Sequence, residues 1–102
     1  MNRLETLKEL VRQNPSDTFA RYGLAMEYAR AGQFAESAAE YEAIVDAHPE
    51  YAAAYYQGGQ ALERLGRFED ARECYRRGIG VTTGLGDSHA RDQLQTALDL
   101  LG

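Results

Sequence analysis

The sequence predicts an all-α chain of antiparallel helical hairpins, stacked as a short solenoid of about six helices. Three observations carry that expectation. Shifting the sequence by 34 residues lays Pro15 on Pro49, Ala20 on Ala54, Tyr22 on Tyr56, Arg30 on Arg64, Gly32 on Gly66, Phe34 on Phe68 and Tyr41 on Tyr75. Between these anchors the apolar residues recur at three and four, as in Leu24, Tyr28 and Ala31 and then Ala38, Tyr41, Ile44 and Val45, which is the helical period. Only two prolines occur in a chain rich in alanine, leucine, glutamate and arginine, so helix formers dominate and strand-like runs are nearly absent.

The elements follow in order. A helix over 3–13 carries Leu4, Leu7, Leu10 and Val11, and the same shift lays Leu7 on Tyr41 and Leu10 on Ile44. Residues 1–15 therefore read as half a repeat. Helices at 17–31 and 34–47 form the first hairpin, within a repeat at 16–50: Ser16 supplies an N-cap, Asp17 a first-turn acid and Gly32 the sharp turn. Helices at 51–65 and 68–80, turned at Gly66, form the second hairpin within 51–86, which ends in a glycine-rich loop from Gly80 to Gly86. The last helix, at 87–101 within 87–102, has Asp87 or Ser88 as N-cap and a stripe of Leu94, Ala97, Leu98 and Leu101. A solenoid needs such an element to close its end.

Composition narrows the function classes. The 102 residues, 44% hydrophobic and 26% charged, suit one soluble globular domain spanning 1–102. A net charge of -5 argues against nucleic acid and against an acidic membrane surface, since phosphate binding needs a positive face. No window approaches the ~20 apolar residues of a membrane span, and the charged, amphipathic start from Met1 to Pro15 lacks the apolar core of a secretion signal. The expected setting is cytoplasmic. The lone Cys74 cannot form an internal disulfide, and with the distant His48 and His89 it offers no metal-ligand spacing, so neither metal nor cofactor is expected.

A 34-residue period of helical hairpins ending in proline resembles the tetratricopeptide repeat (TPR), with its pattern W-x2-L-G-x2-Y, then A-x3-F, then P. In the first copy the pattern falls on Arg21, Leu24, Ala25 and Tyr28, then Ser37 and Tyr41, then Pro49. In the second it falls on Tyr55, Gly58, Gly59 and Leu62, then Ala71 and Tyr75, with Thr83 in place of the proline. Arg21 departs from the large aromatic, and Gly58 departs from the leucine that fills the hairpin, opposite a second small residue, Gly78. Closer helix approach, inward-turned Tyr55 and Tyr75, or a softer hairpin would each answer the missing volume, and close approach is the favoured expectation.

The resemblance implies a right-handed solenoid whose first helices line a concave groove for a partner peptide or protein. On that face stand Phe19, Tyr22, Met26, Ala29 and Arg30 from the first copy and Ala53, Tyr56, Gln60, Glu63 and Arg64 from the second. Of these, Phe19, Tyr22, Met26, Arg30, Tyr56, Gln60 and Arg64 are the expected partner-binding residues, because aromatics, methionine and arginine are enriched at binding hot spots. The competing expectation is that the aromatics pack against a terminal helix folded across the groove. TPR proteins that clamp a chaperone's C-terminal carboxylate use lysine and asparagine where Tyr22, Met26, Tyr56 and Gln60 stand, so that ligand is not expected. The alternative function is homodimerisation through the same face or the open end of the stack.

Three further features read as structural. Glu36, Glu40, Glu42 and Asp46 on one second helix and Arg72, Arg76 and Arg77 on the next suit a solvated surface better than a docking code. The stretch from Gly78 to Asp87 lacks the preceding strand and the lysine of a phosphate loop, and reads as a flexible linker. Cys74, placed on the outer side of its helix, and the two histidines form no catalytic constellation, so no enzymatic activity is expected.

Overall fold

The structure, a computed structural model, describes residues 1–102. It contains six helices: α1 Arg3–Gln13, α2 Thr18–Arg30, α3 Phe34–Ala47, α4 Ala52–Arg64, α5 Phe68–Leu85 and α6 Ser88–Leu101. Each helix packs on its neighbour in sequence, and α4 also touches α6. The pairs α2–α3 and α4–α5 are the two hairpins, and the stack measures 40 × 28 × 18 Å.

Local chemistry sets the ends. Asp17, not Ser16, caps α2 by accepting the Ala20 N–H at 3.1 Å, while the Ser16 hydroxyl donates to Asn14 Oδ1 at 2.9 Å. The expected N-cap therefore moves by one residue, to the side chain that reaches the orphan amide. Gly32 and Gly66 sit at φ 77° and 75°, which only glycine adopts without strain. That bend lets Gln33 N–H reach the Tyr28 carbonyl and Arg67 N–H the Leu62 carbonyl, at 2.8 and 2.9 Å.

One expected element is overturned. Residues 80–85 are not a loop: α5 runs on to Leu85, so no flexible glycine linker separates α5 from α6. Helical glycines cost about 1 kcal/mol each, but the extra turn is held by burial. Thr82 is fully buried and donates to the Gly78 carbonyl at 2.8 Å, and Ile79 and Val81 pack against the core. The helix stops at Gly86, φ 71°, where Asp87 N–H bonds the Thr82 carbonyl at 2.9 Å. Asp87 then caps α6 by accepting from Ala90 N–H at 3.1 Å.

The main core joins α2 to α6 around Tyr41, Ile44, Tyr55, Tyr75 and Leu94; a smaller one, Val11, Ala20 and Leu24, docks α1. In the second hairpin aromatic rings, not backbone meeting backbone, fill the space beside Gly59 and Gly78, whereas Gly58 borders an open cavity. A Cβ on Gly59 would lie 2.1 Å from Tyr75 Cε1, and one on Gly78 would lie 2.6 Å from Tyr55 Cβ. Each tyrosine thus occupies the space vacated by a glycine on the partner helix. Gly58 is backed by Tyr41 Cβ, 3.2 Å from its would-be Cβ, and by Cys74 Sγ at 3.6 Å. In the first hairpin Arg21 replaces an aromatic by tying two elements together: it pairs with Glu40 at 2.6 Å and donates to the Pro15 carbonyl at 3.0 Å. No buried side-chain polar atom lacks a partner; Ser37, for example, donates to the Ala25 carbonyl at 2.8 Å.

Candidate functional site: a groove along α2, α4 and α6

Tyr56, Gln60 and Arg64 form one i, i+4 stripe of α4, so they share a face. Two hollows open along that stripe. The first, about 300 Å³, lies between α2 and α4 and is lined by Ala29, Arg30, Gln57, Gln60, Ala61 and Arg64, with Phe34 and Tyr41 from α3 behind. The second, about 320 Å³, lies between α4 and α6, where Tyr56 faces His89, Asp92, Gln93, Thr96, Ala97 and Leu100, with the Asp92 carboxylate paired to Arg91 at 2.9 Å. The last helix therefore extends the groove rather than folding across it.

The seven expected residues play different parts. Arg30, Gln60 and Arg64 surround the first hollow and Tyr56 walls the second. Phe19 stands apart, 84% exposed near the start of α2. Tyr22 and Met26 are partly buried against the main core. The Tyr22 ring meets Tyr41 edge-on at 5.6 Å and Tyr51 at 5.5 Å, so it joins the two hairpins instead of packing on a terminal helix. Burial and the neighbouring Tyr51 raise its phenol above the ordinary value.

The two arginines are not equivalent. Arg30 pairs with Glu27 at 2.6 Å, and Glu27 also holds Arg3 of α1 at 2.8 Å. Arg64 has no carboxylate within ion-pair distance; its guanidinium lies over the Phe34 ring, 4.5 Å from the centroid. Its nearest acidic neighbour in sequence, Glu63, is otherwise engaged, accepting from the Tyr75 hydroxyl. Gln60 donates to that same hydroxyl at 2.7 Å. Tyr75 thus reaches from α5 past Gly59 to the groove side of α4 and fixes Gln60 and Glu63. Burial, then the Glu63 hydrogen bond, raise its phenol well above the ordinary range.

Sequence reasoning missed Phe34, Gln57 and the α6 residues. Phe34 carries a signal in retrospect, since it repeats as Phe68 at the same turn position. Cys74, expected on the outer side of its helix, turns inward and donates to the Tyr55 carbonyl at 3.3 Å, with burial pushing the thiol up to about 11. That leaves it a packing group, not a nucleophile.

Stacked hairpins of this geometry define a helical-repeat protein. The profile described as tetratricopeptide repeat matches residues 22–84, and the chain belongs to that family, whose members are typically non-enzymatic protein-interaction modules. It is similar to the solution NMR structure of a tetratricopeptide repeat domain protein from Salinibacter ruber: TM-score 0.80, 34% identity, 86% of this chain and 89% of that one covered. A protein from Bordetella parapertussis matches with TM-score 0.82 at 26% identity, over 99% of this chain and 88% of the other. An uncharacterised protein of Methanocaldococcus jannaschii is 32% identical over 60 residues, 59% of this chain and 70% of its own length. No helix is long and apolar enough to cross a membrane.

Proposed function

We propose that the chain is an adaptor that holds a segment of a partner protein in the groove of α2, α4 and α6, with Arg64 binding a carboxylate of that segment. The observation that carries this reading is Arg64 itself. It is a cation without an internal partner, held on an aromatic face at the edge of a hollow. A stacked guanidinium loses little freedom on pairing with a carboxylate, and it offers bidentate geometry. Tyr56 and Leu100 supply apolar area in the adjacent hollow, so the fitting segment combines apolar side chains with an acidic one. The lone thiol of Cys74 suits a reducing, cytoplasmic setting.

Self-association through the ends of the stack finds less support. The outer side of α6 presents Arg91, Gln95 and Asp99 to solvent, and α1 presents Glu5, Lys8 and Arg12. Polar outer faces are what a terminal helix of a solenoid needs to stay soluble. The test is affinity capture from native lysate with the wild type and with Arg64→Glu, both checked for unchanged helicity. Proteins retained by the wild type and lost with Arg64→Glu are the expected result; equal retention overturns the reading.

A further inference from the structure

We propose that the opposite, convex face carries a second binding site, which takes one apolar side chain from a basic segment of a partner polypeptide. A cavity of about 220 Å³ opens between α3 and α5 over the back of α4. Its walls are Tyr41 and Val45 of α3, Gly58 and Leu62 of α4, and Cys74 of α5. Gly58 and Leu62 lie on the side of α4 away from the Tyr56, Gln60 and Arg64 stripe, so this site opens on the opposite face from the groove, and only Tyr41, which passes between them, touches both. Gly58, which stands where the family pattern places a leucine, borders this space, with Tyr41 Cβ and Cys74 Sγ 3.2 and 3.6 Å from its would-be Cβ.

Size and charge name the occupant. Pockets for drug-sized ligands run from about 300 Å³ upward, whereas a cavity of about 150 Å³ holds a benzene ring. At about 220 Å³ the cavity fits one leucine- or phenylalanine-sized side chain and is too small for a nucleotide. Five charged residues ring the mouth, all exposed: Glu42, Arg67, Asp70, Glu73 and Arg77. Both arginines are already satisfied, Arg67 by Asp70 at 2.7 Å and Arg77 by Asp46 at 3.3 Å, with Arg77 also over the Tyr55 ring. Glu42 and Glu73 have no ion-pair partner, so the unbalanced charge at the rim is negative. An apolar side chain flanked by lysine or arginine meets both requirements at once.

The experiment is an amide NMR titration of the whole chain with three blocked tripeptides: Lys-Leu-Lys, Lys-Ser-Lys and Glu-Leu-Glu. Lys-Leu-Lys is expected to give saturable shifts at millimolar concentration at Val45, Gly58, Leu62, Asp70 and Cys74, which line the cavity and not the groove, with the other two far weaker. The double variant Glu42→Gln/Glu73→Gln, altered only at exposed side chains, is expected to weaken binding about fivefold. Gly58→Leu, which fills the cavity, is expected to abolish it, and the charge variant still decides the matter should Gly58→Leu fail to fold. The proposal is overturned by no saturable shift up to about 10 mM, by equal response to all three peptides, or by shifts confined to the groove. Shifts of the same amides on concentrating the free protein would place a second copy there and overturn it as well.

Discussion

Replacing Gly59 by alanine adds one methyl group, and the structure places that methyl inside another side chain. The new Cβ would lie 2.1, 2.5 and 2.7 Å from three ring carbons of Tyr75. Carbon atoms settle at about 3.5–4.0 Å, so the ring must retreat by roughly 1.5 Å. It has nowhere to go, because Tyr75 is fully buried and its hydroxyl is bonded to Gln60 and Glu63. Overpacking of this kind costs about 1–3 kcal/mol, and loosening a hydrogen bond to a carboxylate about 1.5–3 kcal/mol. Alanine returns about 1 kcal/mol of helix propensity, so the net loss is about 1.5–5 kcal/mol. For a domain of this length that lowers Tm by roughly 7–25 °C. Gly80→Ala is the matched control, since nothing lies within 4 Å of its would-be Cβ; it is expected to gain about 1 kcal/mol. Urea unfolding followed by circular dichroism measures both. A Gly59→Ala variant as stable as the wild type, or a Gly80→Ala variant that loses as much as Gly59→Ala, would refute the interlocked tyrosine and glycine packing.

Further outcomes follow from the same geometry. Tyr22→Ala removes a ring packed on Tyr41 and Tyr51 and is expected to cost about 2 kcal/mol of stability, read by chemical denaturation; an unchanged midpoint would return Tyr22 to the groove. Tyr22, Tyr28, Tyr41, Tyr55 and Tyr75 all have phenols raised above the ordinary 10.0, chiefly by burial. With folded pKa values above the unfolded one, their contribution is complete below pH ~10 and is lost as pH rises beyond it. Thermal melts are thus expected to show Tm level from pH ~8 to ~9.5 and falling above ~10, and a Tm indifferent to pH through ~11 would contradict the buried phenols. In sedimentation velocity the chain is expected to run as a monomer, because the outer faces of α1 and α6 are charged; a concentration-dependent dimer would favour self-association instead.

Much of this was legible in the sequence because the repeat supplies independent copies of the same signal. The prolines, the turn glycines Gly32 and Gly66, and the aromatic anchors located four helix ends to within a residue or two. Gly80, Gly84 and Gly86 misled for the converse reason: local propensity reads three glycines as a linker, while burial of Thr82 and the fit of Tyr55 at Gly78 hold a further helical turn. Propensity is worth about 1 kcal/mol per residue and tertiary burial exceeds it. In the groove, helical periodicity placed Gln60 and Arg64 on one face. It could not distinguish paired Arg30 from unpaired Arg64, because Glu27 and Phe34 act through rotamers and contacts that spacing does not encode. Nor could it place Tyr22, whose partners Tyr41 and Tyr51 lie on a different helix and on the turn before α4.

The groove reading is tested most directly by selecting binders from a random peptide library on the wild-type chain, then measuring each selected peptide against Arg64→Glu. The expected result is a set of peptides that share an acidic residue beside apolar ones and lose at least about tenfold in affinity with Arg64→Glu, the range for a desolvated charge pair. Selected peptides that bind both proteins alike, or that lack any common acidic residue, would contradict it.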